Sequence, residues 1–276
     1  MSELIIKDTG IIARAELDVQ ISTAKAYPRN TDESVNYAIE LATMDEETAQ
    51  SCFYCLPRKD KETGINKEIR GPSIRLAEII ANAWGNIHAA SRIVENDGRH
   101  ITAEGVCWDL QKNVKMSSQN KVSIWFGEKN GKGGYQASND MQTVLSNAAS
   151  AKAIRNAIFK VVPKALVNKV MERAMTFAIG DQKTINVKVL EIVDKLVKMG
   201  MNKETMLEYY ECKSIADITP DIYRQLIGVG TAIKECHIKV DEVFKAEKDT
   251  SDNVSASDKI NLLLANKTTG ELNVKG

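Results

Sequence analysis

Residues Ile87–Phe126 read IHAASRIVENDGRHITAEGVCWDLQKNVKMSSQNKVSIWF, and their apolar positions recur with a period of two. Asn96-Asp97-Gly98 lies between two such runs, a strong signal for a hairpin. Closing the hairpin on that turn sets Ile93 opposite Ile101, Ser91 opposite Ala103, Ala89 opposite Gly105 and Ile87 opposite Cys107. This face is small and apolar throughout, whereas His88, Arg92, His100, Thr102 and Glu104 fall on the other. A third run spans Asn113 to Phe126. Val114, Met116, Val122, Ile124 and Phe126 share one parity, and Lys115, Ser117, Gln119, Lys121 and Ser123 the other. The pattern predicts a three-stranded antiparallel meander with one buried face.

Outward from the meander the period becomes helical. Downstream, Asn139 and Gln142 form a capping-box pattern for a long helix from Asp140 to about Val162. Pro163 breaks it, and a helical pattern resumes over 164–179. Upstream, Gly71-Pro72-Ser73 starts a helix carrying Ile74, Ala77, Ile80, Ala81 and Trp84, and Gly85 stops it. Thr31 or Asp32 caps a helix to about Thr43, a second is expected from Glu46 to Leu56, and Arg58 to Arg70 reads as an exposed loop. Residues 1–30 are poorly patterned. The expected fold is therefore α+β: helices around a three-stranded antiparallel meander followed by a long basic helix, plus a small C-terminal helical module. The expected division is a core over 1–181, a partner-binding helical module over 184–244 that truncation near Asp181 would remove without unfolding the core, and a disordered tail over 246–276.

The chain has 276 residues, 43% of them hydrophobic, with zero net charge. That balance conceals a block. Residues 1–111 carry 12 Lys/Arg against 18 Asp/Glu, whereas residues 112–173 carry 11 against only Glu128, Asp140 and Glu172. No apolar run approaches 18 residues, MSELIIKDTG has no secretory pattern, and five cysteines are an odd number, so a cytoplasmic, non-membrane protein without a disulfide scaffold is expected. Cys52 and Cys55 form a lone CxxC in a helical pattern, read as two small apolar side chains without a metal. Gly127-x3-Gly131-Lys132-Gly133 lacks the spacing and the Ser/Thr of a phosphate-binding loop, so no nucleotide cofactor is expected. Asp109 with Lys112, and Glu95 or Glu104 on a neighbouring strand, leave a metal-dependent nuclease as an alternative.

The candidate binding residues cluster on the long helix. Its phase sets Val144, Ala151, Ile154, Ala157, Ile158 and Val161 on one side. Lys152, Arg155, Asn156 and Lys160 fall on the other, in a sector without an acidic residue, and Lys164, Lys169 and Arg173 continue the basic character. Lys115 and Lys121 on the third strand and Lys129 and Lys132 in the glycine-rich loop are the expected companions, with Trp125 and Tyr135 flanking that loop as stacking surfaces. Such a groove tracks phosphates without reading bases, which describes a single-stranded DNA-binding protein with no catalytic residue.

The order of helix, β-β-β meander and long basic helix resembles the phage single-strand annealing proteins grouped with RecT, Redβ and Erf, over roughly residues 15–180. The runs Gly71-Pro72-Ser73-Ile74-Arg75-Leu76-Ala77-Glu78 and Trp84-Gly85-Asn86 are similar to prophage proteins that accompany such recombinases. The resemblance implies ATP-independent strand annealing in homologous recombination by oligomeric rings or filaments. It also implies partners, an exonuclease and the host single-strand binding protein. Passive single-strand binding and an adaptor role are the other readings.

Overall fold

In the computed structural model, residues 2–59, 66–127, 133–180 and 185–244 are described. The fold is α+β, with a three-stranded antiparallel sheet of β3 (Ile87–Asn96), β4 (His100–Asp109) and β5 (Val114–Ser123), β4 in the centre. Strand pairing differs from the expected register by two residues: Ile93 faces Ala103, Ser91 faces Gly105 and His88 faces Trp108. The cause is local. Asp97 accepts the backbone N–H groups of Arg99 and His100 on its carboxylate, which stabilises a wider turn, and the register shifts between Ile93 and Glu95. A shift of two preserves parity, so the small apolar face still turns towards one side, but it is buried mainly along β4: Ile93, Val114 and Met116, expected inside, are 44%, 41% and 41% exposed.

That inner face carries α5 (Asn139–Val161). Ala149, Ala153 and Ala157, all fully buried, follow each other at one-turn spacing along the contact. Opposite them is Gly105, where an added Cβ would stand 2.2 Å from the carbonyl carbon and oxygen of Ala153. Only a glycine fits beneath a helix this close. Ser138, one residue earlier than expected, caps α5 by accepting from Met141 N–H, while Gln142 Nε2 donates to the Ala137 carbonyl. Pro163 ends α5, and α6 (Lys164–Ile179) follows to Gly180, whose φ is 67°.

The upstream region departs further from expectation. A helix, α1 (Ser2–Ala26), occupies most of the segment read as poorly patterned. Asn30, rather than Thr31 or Asp32, caps α2 (Thr31–Ala42). The helix α3 stops after Glu46–Ser51, and the chain continues as a hairpin, β1 (Phe53–Lys59) with β2 (Asn66–Pro72), replacing the expected helix end and loop. Burial explains the difference: Phe53, Tyr54 and Cys55 are consecutive and all buried, as a strand covered on both faces requires. The helix α4 (Ile74–Trp84) has the expected start, with Ser73 Oγ accepting from Leu76 N–H, and ends at Gly85, φ 60°.

What covers β1 is the C-terminal part of the chain. Helices α7 (Ile185–Lys198), α8 (Lys203–Tyr209) and α9 (Pro220–Lys234) make up this part, with Thr219 capping α9 and proline at its start. They are not set apart from the rest. Side chains from α2, α4, α6, α7 and α9 belong to one continuous apolar core. Gly228 of α9 lies against Cys55, where an added Cβ would stand 2.4 Å from the cysteine's own. Lys188 bonds Glu46 at 2.6 Å, and Thr231 Oγ1 donates to the Gln50 carbonyl at 3.2 Å. The expected boundary at 181 therefore does not coincide with a break in the core. The expected tail over 246–276, like Lys129 and Lys132, lies outside the described residues.

Candidate nucleic-acid interface

Helix α5 places its cations on two separate sides. Arg155, expected at the surface, is 8% exposed. It donates to His237 Nε2 at 2.9 Å and to Asn156 Oδ1 at 3.1–3.2 Å, and its guanidinium lies 5.4 Å from the Tyr54 ring centre. Glu235 completes the cluster: Oε2 lies 3.0 Å from His237 Nε2 and 3.8 Å from Arg155, while Oε1 accepts the first N–H of α4, from Ile74. His237 stacks on Tyr54 at 4.3 Å, and burial pushes its pKa down to about 4 against the pull of Glu235. Lys152 donates to the Cys236 carbonyl at 2.8 Å. Arg155 and Asn156 are thus part of the packing, because residues 235–237 cover a flank that the periodicity leaves polar. Val144, expected to face inward, is 49% exposed.

The other side is built along β5. Lys160, near the end of α5, donates to the Ser117 carbonyl at 2.8 Å and so covers the outer edge of that strand. Two residues away, Lys115 projects from the face opposite α5, its Nζ 5.9 Å from the Trp108 ring centre. Lys164 opens α6 at the surface. A cleft of about 340 Å³ beside the α5–α6 break is lined by Lys112, Val161, Pro163, Arg29, Trp84 and Asp109, among others. Among the described residues, no carboxylate lies within ion-pair distance of Lys115, Lys160 or Lys164.

Asp109, paired with Val114 at the start of β5, is already neutralised. Asp109 takes Arg29 Nη1 at 2.5 Å and Nη2 at 2.9 Å, both side chains being buried. Burial raises the Asp109 pKa, but the Arg29 bonds and the backbone N–H groups of Lys112 and Gln111 outweigh it and hold the carboxyl below its ordinary value. Arg29 also stacks on Trp84 at 4.6 Å, which fixes the fork. With both oxygens occupied, Asp109 is a poor metal ligand. Glu104 pairs with Arg92 at 2.9 Å, and Glu95 accepts from Thr102 Oγ1 at 3.2 Å. Lys121 lies on the same face as Lys115 but pairs with Asp97 at 3.3 Å.

Trp125 and Tyr135 sit on a third patch, the short pair β6 (Trp125–Phe126) and β7 (Tyr135–Gln136). Arg99 covers the Trp125 ring at 5.0 Å and Lys239 covers Phe126 at 4.7 Å, whereas Tyr135 is 65% exposed. The candidate residues thus lie at three places in the fold: Lys152 against the C-terminal segment, Lys115, Lys160 and Lys164 at and beside β5, and Trp125 and Tyr135 on the β6–β7 pair.

Helix phase and charge do not single out Trp108 and Lys112 as partners of the basic strip. A signal for them is nevertheless present in the sequence. Closing the second turn over 110–113 pairs Asp109 with Val114 and Trp108 with Lys115, the pairing observed. The cysteines are packed as small apolar side chains, though not in one helix. Cys52 follows α3 and Cys55 lies on β1, and burial pushes the Cys52 thiol up to about 12 and Cys55 higher still. Comparison with protein-family models, curated proteins and solved structures gives no match to this chain.

Proposed function

We propose that this chain binds single-stranded DNA along the β5 edge and promotes annealing of complementary strands without ATP, as the likeness to the RecT, Redβ and Erf group implies. The observation that carries the reading is the strip Lys115, Lys160 and Lys164, without carboxylate partners among the described residues, next to the half-buried indole of Trp108. Cations in such a strip attract phosphates irrespective of base, and an aromatic beside them offers a face to any unpaired base. Tyr135 supplies a second stacking position in this reading, with Trp125 under Arg99 behind it, and Lys121 joins once its bond to Asp97 is exchanged for a phosphate. Annealing presents two strands over many nucleotides, which favours a homo-oligomer. The uncovered edge of β3 gives copies a surface on which to associate. An exonuclease and the host single-strand binding protein are the proposed partners.

The test is a fluorescence annealing assay with complementary oligonucleotides, without nucleotide or divalent metal. The expected result is faster pairing in proportion to protein added, with rings or filaments in negative-stain images. Tight binding without acceleration would reduce the function to passive coating. Cleavage that requires a divalent metal would replace it with the nuclease, for which Asp109, Glu95 and Glu104 are poorly disposed.

A further inference from the structure

Pro163, which ends α5, is also the N-cap of α6. Proline has no side chain that accepts a hydrogen bond, and the first turn of α6 has no acidic residue. Among the described residues, the backbone N–H groups of Lys164 and Ala165 have no acceptor, while those of Leu166 and Val167 share the Pro163 carbonyl. The helix, 16 residues long, thus begins with the positive end of its dipole unanswered. At an open surface water would serve these groups. Here a cleft of about 340 Å³ lies beside them, and Pro163 is part of its lining.

Two other lining residues carry orphaned donors. Trp84 is 7% exposed, and its one polar atom, Nε1, has no hydrogen-bond partner. Arg29 lies over the Trp84 ring with its side chain 5% exposed. Its Nη1 and Nη2 hold Asp109, but Nε is unpartnered. Buried donors without acceptors are costly, and two on adjacent side chains of one cleft call for an acceptor from outside. The carboxylate and amide oxygens of the lining are already engaged. Asp109 accepts from Arg29 and from the backbone N–H groups of Gln111 and Lys112. Gln111 Oε1 accepts from Arg29 N–H and Asn86 Nδ2, which leaves the Gln111 amide N–H groups without a partner among the described residues. Arg29 and Asp109 cancel in charge, so exposed Lys112 makes the lining positive, and Lys164 adds to it next to Pro163.

Such a lining fits a group that carries negative charge and only accepts hydrogen bonds. The donors come from the end of α4, the turn after β4 and the start of α6, more directions than the two oxygens of a carboxylate serve. We infer that the cleft between Trp84, Lys112 and Pro163 is a phosphate-binding site at the N-terminus of α6. A phosphodiester of a DNA strand and a free phosphate share this chemistry, so the site stands whether or not the DNA reading does.

The indole N–H of Trp84 is the probe. In the isotope-labelled full chain, Trp84→Phe identifies its NMR signal among those of Trp84, Trp108 and Trp125. Inorganic phosphate, titrated at constant ionic strength, is expected to move that signal downfield as a hydrogen bond forms, with a dissociation constant on the order of 1 mM. Lys112→Glu, at an exposed position, is expected to weaken binding about tenfold. A Trp84 signal unmoved up to about 50 mM phosphate would overturn the proposal, as would a titration that Lys112→Glu leaves unchanged. A single-stranded oligonucleotide then separates the sources. Competition with phosphate at the Trp84 signal is the result expected of a strand phosphate. Oligonucleotide binding that leaves the phosphate in place assigns the site to free phosphate and puts DNA elsewhere. Phosphate binding with no oligonucleotide binding would sink the DNA reading and leave this site standing.

Discussion

On one flank, α5 meets the sheet through Ala149, Ala153 and Ala157 over Gly105, with no polar side chain between them. On another it buries Arg155, held by His237, Glu235, Asn156 and the face of Tyr54. The first flank joins elements near in sequence and needs only small side chains. The second joins the helix to β1, to the start of α4 and to residues 235–237, some 80 positions away. The first follows from local pattern. The second depends on what the rest of the chain brings to it.

The largest effect should come from removing the second flank outright. A chain ending at Gly180 loses α9 from β1 and leaves Phe53, Tyr54 and Cys55 uncovered. It should show no cooperative thermal transition and should aggregate; a monomeric fragment with a sharp transition would mean that the N-terminal part is a domain by itself. Next, Arg155→Ala leaves Glu235 buried without its guanidinium and should cost about 3–5 kcal/mol in urea unfolding. Arg155→Met, which retains the packing, should cost less if Glu235 keeps its bond to Ile74 N–H. Equal losses would show that volume, not charge, dominates the cluster.

The same cluster gives a pH dependence. Burial lowers the His237 pKa to about 4, from about 6.5 when unfolded. The unfolded chain therefore binds the extra proton in the window between those values. The stabilisation is complete above about pH 6.5 and is lost as pH falls towards 4, by at most about 3 kcal/mol. His237→Gln should flatten the profile in that window, and an unchanged slope would remove His237 as the cause. On the first flank, Gly105→Ala forces α5 off the sheet and should cost about 1–3 kcal/mol. A neutral result would show that the helix moves freely.

The meander, the start of α4 and the break at Pro163 are legible in the sequence because each is encoded within a few residues. The β3–β4 register differs by two from the periodic expectation because Asp97 bonds to the backbone of its own turn, a side-chain choice that strand periodicity does not reveal. The β1–β2 hairpin is illegible because Phe53-Tyr54-Cys55 has no alternation; both faces are covered, one of them by α9. In the candidate site, the acid-free character of α5 is readable, but its division between a buried arginine and an exposed lysine is not. Helix phase tells which residues point away from an apolar stripe, and only tertiary structure tells what arrives to meet them.

Single-stranded oligonucleotide binding at several salt concentrations, for the wild type and for Lys160→Ala with Lys164→Ala, tests the central claim most directly. Both substitutions are at the surface and should change stability by no more than about 0.5 kcal/mol. If DNA follows the β5 edge, affinity falls for every sequence alike and the log–log salt slope flattens by about 0.7 for each phosphate no longer neutralised. Superimposable titrations of the two proteins would contradict the account and leave this strip an ordinary solvated surface.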